Sequence, residues 1–207
     1  ATGYGCVYFA EHMLKGHQNS LEGKECLVSG SGNVAIYTIE KLLELGAKPV
    51  TCSDSGGTIY QKSGIDVKSL KQIKEVEQGR LTDYAERHPD AEYIGRNRYP
   101  DDGHAVWRFA GQVAFPCATQ NELTAADAKA LLDNGCIAVC EGANMPCTAD
   151  AAEVFLTAKI AYAPGKAANA GGVATSQLEM AQNASMQHWS FEEVDQKLKD
   201  IMQGIYQ

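Results

Sequence analysis

The feature that most constrains the fold is a glycine-rich turn, Gly30-Ser31-Gly32-Asn33-Val34-Ala35. The apolar run before it, Lys24–Ser29, predicts a strand, and the pattern after it predicts a helix over Asn33–Leu45 that ends at Gly46. A GxGxxA sequence alone is a weak signal, but between a strand and a helix it is typical of a turn that binds phosphate. The chain is therefore expected to contain a βαβ unit with this turn at its ligand-binding end.

The rest of the chain continues the alternation of strands and helices. Further strands are predicted at Lys48–Ser53, Glu92–Ile94, Gln112–Pro116, Cys136–Cys140 and Ile160–Ala163. Further helices are predicted in residues 1–16, where Tyr4, Val7, Tyr8 and Leu14 have helical spacing, and at Val67–Gln78, Ala128–Asn134, Thr148–Ala158, Gly171–Ser185 and Phe191–Ile205. Asp66, Thr124 with Asp127, and Ser190 with Glu193 have the pattern of helix N-caps.

This order predicts an α/β fold, a Rossmann-like doubly wound three-layer αβα sandwich with one parallel sheet. Apolar runs such as Cys136–Cys140 favour strands that are buried on both faces. No break in composition marks a boundary, so we expect a single dinucleotide-binding domain over residues 1–207. The polar stretch Gly95–Gly111 is expected to be a surface loop.

Composition excludes several classes of protein. The formal charge is 18 − 26 = −8, whereas a nucleic-acid-binding protein or one that binds anionic membranes would show a basic face. No apolar stretch is long enough for a transmembrane helix, so neither a transmembrane helix nor a signal peptide is expected. The seven cysteines contain no CxxC pair and lie in apolar runs, which indicates buried reduced thiols, a cytoplasmic protein and no metal site. The five histidines are expected to be structural.

The residue types in the glycine-rich turn each suit the binding of a dinucleotide for a physical reason. Gly30 permits the tight turn, Gly32 lets the backbone approach a pyrophosphate, and Ala35 keeps the helix close to the sheet. The helix N-terminus at Asn33 and Val34 offers unpaired N–H groups and a partial positive charge. Residues Gly30–Val34, Ser31 included, are therefore predicted to bind a dinucleotide.

Residues at the end of the second strand usually contact the adenosine ribose, but here they do not distinguish NAD from NADP. An acidic residue in the position of Asp54 accepts hydrogen bonds from the ribose hydroxyls and favours NAD. Ser53 and Ser55 could instead donate to a 2′-phosphate, which Arg80 or Lys62 could neutralise. Asp54 could equally cap the turn that follows it.

Three later segments are rich in small and polar residues and follow predicted strands. They are Pro116–Glu122 (PCATQNE), Glu141–Pro146 (EGANMP) and Ala163–Ser176 (APGKAANAGGVATS). Ligands bind beyond the carboxyl ends of the strands in such sheets, so we expect these segments to face the coenzyme. Ala118 and Thr119 in the first, Asn144 in the second and Asn169 in the third are candidate contacts.

These segments, with Ala1–Gly5 (ATGYG) and the GSGNVA turn, together resemble the glutamate dehydrogenase family over essentially the whole chain. The resemblance implies interconversion of L-glutamate with 2-oxoglutarate and ammonium, with a hydride passing between the substrate α-carbon and NAD(P). Thr2, Asn33 and Asn144 match coenzyme contacts, and Asn169 matches a position near the nicotinamide. Val173 and Ser176 match the pocket for the substrate side chain.

The same resemblance favours NADP, with Ser55 and Arg80 as contacts of the 2′-phosphate, while NAD stays an alternative. The family's catalytic lysines and aspartate lie in a separate substrate domain that precedes ATGYG. No catalytic residue is therefore expected in this chain, Lys166 included, and the chain is expected to be an inactive fragment of an enzyme that forms a homohexamer. The stretch Arg96–Trp107 is longer than is usual for the family, and the sequence suggests no function for it.

Two alternatives remain at this point. The chain could belong to an amino-acid dehydrogenase with a branched-chain or aromatic substrate, although the hydroxyl of Ser176 favours glutamate. It could also be a non-catalytic nucleotide-binding module. Asn144 and Ser176 argue against that alternative, because a module that binds only adenosine needs neither.

Overall fold

Strands and helices alternate throughout the computed structural model, which describes residues 1–207. The strands are β1 (Glu25–Val28), β2 (Lys48–Pro49), β3 (Thr51–Ser53), β4 (Gly57–Tyr60), β5 (Glu92–Gly95), β6 (Val113–Phe115), β7 (Ala138–Cys140) and β8 (Ala161–Ala163). The helices are α1 (Thr2–Gly16), α2 (Asn33–Glu44), α3 (Val67–Lys71), α4 (Leu81–Arg87), α5 (Ala125–Asp133), α6 (Ala149–Ala158), α7 (Gly165–Ala168), α8 (Gly171–Ser185) and α9 (Phe191–Tyr206).

Five strands form a parallel sheet in the order β2-β1-β6-β7-β8. From β1 the chain first moves outward to β2 and later returns to place β6 on the other side of β1. The strand order therefore reverses between β1 and β6. In open α/β sheets this reversal opens a crevice beyond the carboxyl ends of the two strands.

Helices cover both faces of the parallel sheet. In β1, Cys26 and Val28 belong to the larger apolar core, which includes Ile36 and Ile39 of α2. The intervening Leu27 belongs to a second core on the opposite face, formed with residues of α5 and α6. This alternation is the reason for the continuous apolar runs in the sequence, and it confirms the doubly wound three-layer αβα sandwich.

The expectation of a single parallel sheet is wrong at the second predicted strand. The run Lys48–Ser53 divides into β2, which pairs with β1, and β3, which joins a separate antiparallel sheet of order β3-β4-β5. Pro49 has no N–H for a ladder and lies on the edge strand, where proline is tolerated. Thr51 keeps the diverging chain attached: its hydroxyl donates to Val28 O (3.0 Å) and accepts from Val28 N–H (2.8 Å).

The strand predicted at Glu92–Ile94 exists, but it pairs antiparallel with β4. The sequence pattern did not predict β4, because its first residue, Gly57, belongs to a Gly-Gly pair typical of a loop. Glycine is required there by the neighbouring strand, since a Cβ on Gly57 would lie 2.5 Å from Ile94 O.

Local signals for helices are largely confirmed. Asp66, Thr124 and Ser190 accept hydrogen bonds from first-turn N–H groups of α3, α5 and α9. The helix predicted over Val67–Gln78 begins as α3 and continues as a π-helical segment, Gln72–Val76. The interpretation of Gly95–Gly111 as a plain surface loop is wrong, because it contains 3₁₀ turns at Arg96–Arg98 and Ala105–Arg108 and the side chain of Trp107 is fully buried.

All seven cysteines are buried free thiols, as the sequence predicts. None of the helices has the length and apolar character that crossing a membrane requires. No cluster of potential metal ligands is found among the described residues.

Candidate coenzyme-binding site

A cleft of about 1030 Å³ lies at the carboxyl ends of β1 and β6. The glycine-rich turn, the end of β3 and the loop after β6 form three sides of it. The lining residues are Gly30–Val34, Ser53–Ser55, Arg96, Tyr99, Asp101–His104, Cys117–Glu122 and Thr124. The cleft therefore occupies the crevice that the strand order predicts, and the sequence motifs converge on it.

Gly30 adopts a conformation that an L side chain rarely takes, with φ +86°. Its N–H donates to Ser53 Oγ (2.8 Å), which ties the turn to the end of β3. A Cβ at this position would also meet Cys117 O at 3.1 Å. The turn thus requires glycine both for its backbone angle and for its contact with the loop after β6.

The N-terminus of α2 has no side-chain cap, and its first intrahelical bond runs from Ile36 N–H to Gly32 O. A Cβ on Gly32 would meet no atom within 4 Å, so the space beside the turn is open. Unpaired N–H groups beside an open surface fit a diphosphate, because they donate hydrogen bonds and add the positive end of the helix dipole. The residues present therefore fit the dinucleotide that the sequence predicts.

Thr2 and Gly3 bring α1 against two other helix ends. A Cβ on Gly3 would lie 2.6 Å from Val34 O, so α1 approaches the first turn of α2 closely. A Cβ on Gly172 would lie 2.5 Å from Thr2 Oγ1. Thr2 therefore lies between the phosphate-binding turn and the start of α8.

The two residues after β3 differ in their availability to a ligand. Asp54 Oδ1 accepts from Gly56 N–H (2.8 Å) and Gly57 N–H (3.1 Å), and its Oδ2 accepts from Leu81 N–H (3.1 Å). Ser55 is exposed, and Arg80 Nη1 donates to its Oγ (3.0 Å). The geometry favours turn capping for Asp54 and ligand binding for Ser55.

Of the two cations that the residues alone leave open, Arg80 is the one bonded to Ser55 at the edge of the cleft. Both Arg80 and Lys62 are exposed, and neither is among the residues that line the cleft.

The loop after β6 is tied to β1 by a buried carboxylate. Glu122 Oε1 accepts from Ser29 Oγ (2.8 Å) and from Ala118 N–H (3.0 Å), and Cys117 N–H donates to Ser29 Oγ (2.9 Å). Burial raises the pKa of the Glu122 carboxyl to about 7, and its Oε2 is buried without a partner. These bonds present Ala118 and Thr119 to the cleft.

Asn144 and Asn169 lie together on the neighbouring side of the crevice. Asn169 Nδ2 donates to Asn144 Oδ1 (2.7 Å) and to Ala143 O (3.3 Å). Asn144 lines a second cavity of about 720 Å³, which shares Asn121 with the first.

The loops around this second cavity are joined by a further buried acid. Glu141 is bonded to Tyr162 Oη (2.7 Å) and to Gly165 N–H (2.7 Å). Together the two cavities give room for the two halves of a dinucleotide.

The residues predicted to bind substrate project from α8. Val173 is 67% exposed, and Ser176 is exposed one helical turn later on the same face. An apolar side chain and a hydroxyl are thus presented side by side next to the Asn169 loop.

Sequence reasoning missed two parts of this site. Glu122 belongs to the quoted PCATQNE motif, but only its burial marks it as special. The sequence suggests no function for the stretch Arg96–Trp107, yet Arg96, Tyr99 and His104 line the cleft. His104 also has the structural role expected of the histidines, because its Nδ1 accepts from Val106 N–H at the start of a 3₁₀ turn. The unusual length of this stretch was the available signal.

Comparisons with known proteins agree with this geometry. A family model described as "Glutamate/Leucine/Phenylalanine/Valine dehydrogenase" matches residues 1–207. The chain is 64% identical over 206 residues to an NADP-specific glutamate dehydrogenase of Helicobacter pylori and 56% identical over 209 residues to an NAD(P)-specific glutamate dehydrogenase of Xylanibacter ruminicola. Each match covers 100% of this chain but only 46% and 45% of those proteins, so the chain spans about half their length.

The fold matches solved structures equally well. The crystal structure of glutamate dehydrogenase from Plasmodium falciparum is similar with a TM-score of 0.93 and 46% sequence identity. That match covers 99% of this chain and 43% of the other chain.

Proposed function

The chain belongs to the glutamate/leucine/phenylalanine/valine dehydrogenase family, and on this premise we propose that it is the dinucleotide-binding domain of an NADP-dependent glutamate dehydrogenase. The proposed reaction converts L-glutamate, NADP⁺ and water into 2-oxoglutarate, ammonium and NADPH with release of a proton. The observation that carries the proposal is the uncapped N-terminus of α2 at the reversal of strand order. It is supported by relatives whose names specify NADP.

In this proposal each part of the cleft has one task. The N–H groups of Gly30–Val34 bind the diphosphate, and Ser55 with Arg80 binds the ribose 2′-phosphate. Ala118 and Thr119 border the bound molecule, and Thr2, Asn144 and Asn169 orient its nicotinamide half by hydrogen bonds. When bound, the nicotinamide ring supplies the hydride acceptor for the substrate α-carbon.

The substrate end of the proposal is the exposed face of α8. Ser176 donates a hydrogen bond to the side-chain carboxylate of glutamate, and Val173 packs against the substrate methylenes. The groups that activate the amine and the water come from a separate domain, as the resemblance implies. Assembly into a homohexamer and a cytoplasmic location complete the proposal.

The decisive test is titration of the chain with NADP and NAD, in the wild type and in Gly32→Ala. Gly32 has φ −88° and ψ −172°, which any residue adopts, and a Cβ there meets nothing. The variant should fold normally but bind NADP about tenfold more weakly or worse, because the methyl group occupies the approach of the diphosphate.

The matched control is Gly204→Ala in α9, where a Cβ also meets nothing. It should leave binding unchanged. Absence of NADP binding to the wild type, or equal affinities for wild type and Gly32→Ala, would refute the proposed site.

A further inference from the structure

The stretch that the sequence left without a function forms a wall of the coenzyme cleft. Arg96, Tyr99, His104 and the residues Asp101–Gly103 line the same cavity as the glycine-rich turn and Ser53–Ser55. The wall stands on the side of the end of β3, where the proposed function places the adenosine ribose. This segment, residues 96–104, is called the outer wall below.

The outer wall is held in place at both ends. At its start Arg96 N–H donates to Gly56 O (2.9 Å), and the hydroxyls of Tyr99 and Thr58 are 2.6 Å apart. At its other end His104 N–H donates to Asp127 Oδ1 (3.0 Å). The carboxylate of Asp127 is fully buried, so this anchor is part of the protein interior. The outer wall is therefore a fixed surface of the cleft.

Two aromatic rings form a neutral part of this surface. The rings of Tyr99 and His104 are 4.5 Å apart between centroids. Burial lowers the pKa of His104 to about 4, and its Nδ1 accepts from Val106 N–H (3.2 Å), which leaves a donor N–H at Nε2. Uncharged rings with a hydrogen-bond donor at the edge suit a nucleobase.

The outer wall also brings a second arginine to the cavity that Ser55 lines. Arg96 is exposed and has no ion-pair partner, and its backbone is bonded to Gly56, the residue after Ser55. Arg80 contacts Ser55 directly and is also without an ion-pair partner. Arg96 on the cleft wall, Arg80 bonded to Ser55 and the serine hydroxyl itself form a donor set that suits a phosphate monoester, and neither arginine has an acidic partner.

Two of the three aspartates on this side of the cleft already have partners. Asp102 is bonded to Arg108 (3.0 Å), and the carboxylate of Asp54 is occupied by main-chain N–H groups. Asp101 is exposed, and its carboxylate is suited to accept a hydrogen bond from an amino group on a base.

We propose that the outer wall binds the adenosine end of the coenzyme, with Tyr99 and His104 against the adenine ring and Arg96 joining Arg80 in binding the ribose 2′-phosphate. This inference rests on the proposed function and adds to it the residues that select NADP over NAD.

The test of the phosphate contact is titration of Arg96→Ala with NADP and with NAD. Affinity for NADP should fall about tenfold or more, because a charge-assisted bond to phosphate is lost, whereas affinity for NAD should change less than about threefold. Arg98→Ala is the matched control, since Arg98 lies in the same turn, is 61% exposed at its side chain and does not line the cleft. It should leave both affinities unchanged.

The test of the adenine contact uses Tyr99→Leu and Tyr99→Phe. The leucine variant should weaken binding of 5′-AMP, NAD and NADP alike and leave binding of nicotinamide mononucleotide unchanged, and the phenylalanine variant should restore most of the affinity because it keeps the ring. Thermal melting of each variant shows whether it folds.

These measurements distinguish failure of the proposed coenzyme site from failure of the outer-wall contacts alone. A wild-type chain that binds neither dinucleotide overturns the proposed function and this inference together. A wild type that binds NADP, with Arg96→Ala lowering NADP and NAD affinity equally or lowering neither, overturns only the role of Arg96. Unchanged 5′-AMP binding in Tyr99→Leu overturns the adenine contact.

Discussion

At the scale of single residues, neighbours in the chain have different chemistry because the fold gives them different partners. Asp54 is the residue that a general rule for ribose recognition would select, but its oxygens accept three main-chain N–H groups. Ser55 beside it is exposed and contacts Arg80. The side chain of Asp54 is only 8% exposed, so a ribose hydroxyl has little access to it, whereas Ser55 and Arg80 are exposed to a phosphate.

Replacing Arg80 by Ala should therefore lower affinity for NADP about tenfold and leave affinity for NAD nearly unchanged. Isothermal titration with both coenzymes measures the two effects. Lys62→Ala is the matched control, because Lys62 is the other cation that the sequence offered and, unlike Arg80, it is not bonded to Ser55. A larger effect from Lys62→Ala than from Arg80→Ala would reverse the assignment.

Glu122 should make stability depend on pH in an unusual direction for a carboxyl. Burial raises its pKa from the ordinary 4.5 to about 7, so the folded protein holds a proton that the unfolded chain releases. The unfolded state binds fewer protons between about pH 4.5 and 7, and stability falls as pH rises through that window. Above about pH 7 this loss is complete.

Glu122→Gln removes the titrating group while keeping an acceptor for Ser29 and Ala118. The free energy of unfolding of the variant, relative to wild type, should rise by on the order of 3 kcal/mol between pH 4.5 and 7. The difference is the right measure because His104, whose pKa is lowered to about 4, makes both proteins more stable as pH rises over much of the same range. A difference between the proteins that does not vary with pH would contradict the role of Glu122.

At the scale of elements, the position of α2 depends on how closely α1 approaches it. Gly3 lies where a Cβ would be 2.6 Å from both Val34 O and Thr38 N, which are backbone atoms that cannot rotate away. The glycine-rich turn is therefore braced by α1, which lies on the other side of β1 in the sequence. The geometry of the turn therefore depends on how α1 and α2 pack against each other.

Gly3→Ala should destabilise the protein although alanine favours a helix. The propensity gain is at most about 1 kcal/mol, whereas overpacking against backbone costs about 1–3 kcal/mol, so the clash should dominate. Urea unfolding measures the loss, and NADP titration should show weaker binding because α2 is displaced. In Gly204→Ala the propensity gain stands alone, so that variant should be unchanged or more stable. Equal stability changes in the two variants would contradict the bracing role.

At the scale of the whole molecule, the reversal of strand order between β1 and β6 organises the site. The loops after β1, β6, β7 and β8 all leave the same edge of the sheet, and the two cavities meet at Asn121. The substrate-facing side chains of α8 remain exposed, with Val173 at 67%. The described residues thus form one side of the proposed reaction site and leave its other side open to water.

We therefore expect the 207-residue chain to bind NADP but not to oxidise glutamate. Hydride transfer needs the reacting carbons held at close distance with water excluded, and an open face provides neither. NADPH fluorescence with saturating glutamate measures turnover, and a longer relative assayed in parallel is the positive control. Turnover by the chain that disappears in Ser176→Ala would contradict this expectation.

Several elements of the fold and site were accessible from the residues alone. The turn at Gly30–Val34, the caps at Thr124 and Ser190 and the alternation in β1 depend on residues only a few positions apart. The hydrogen bond between Asn144 and Asn169 was harder to predict. The sequence places the two residues in separate loops at the same edge of the sheet, but it does not show that the side chains meet. The antiparallel sheet was not predicted, because the local sequence around Gly57 is typical of a loop and hides strand β4.

The residues alone predict most of the local structures and single out the glycine-rich turn, since backbone angles, capping and apolar spacing are short-range effects. Packing between distant segments places Thr58 against Tyr99, 41 positions away, and makes the outer wall one side of the cleft. The same packing raises the pKa of the Glu122 carboxyl, because burial among distant segments increases the cost of ionisation. Contacts of this kind depend on how every element packs, and no short stretch of sequence contains that information.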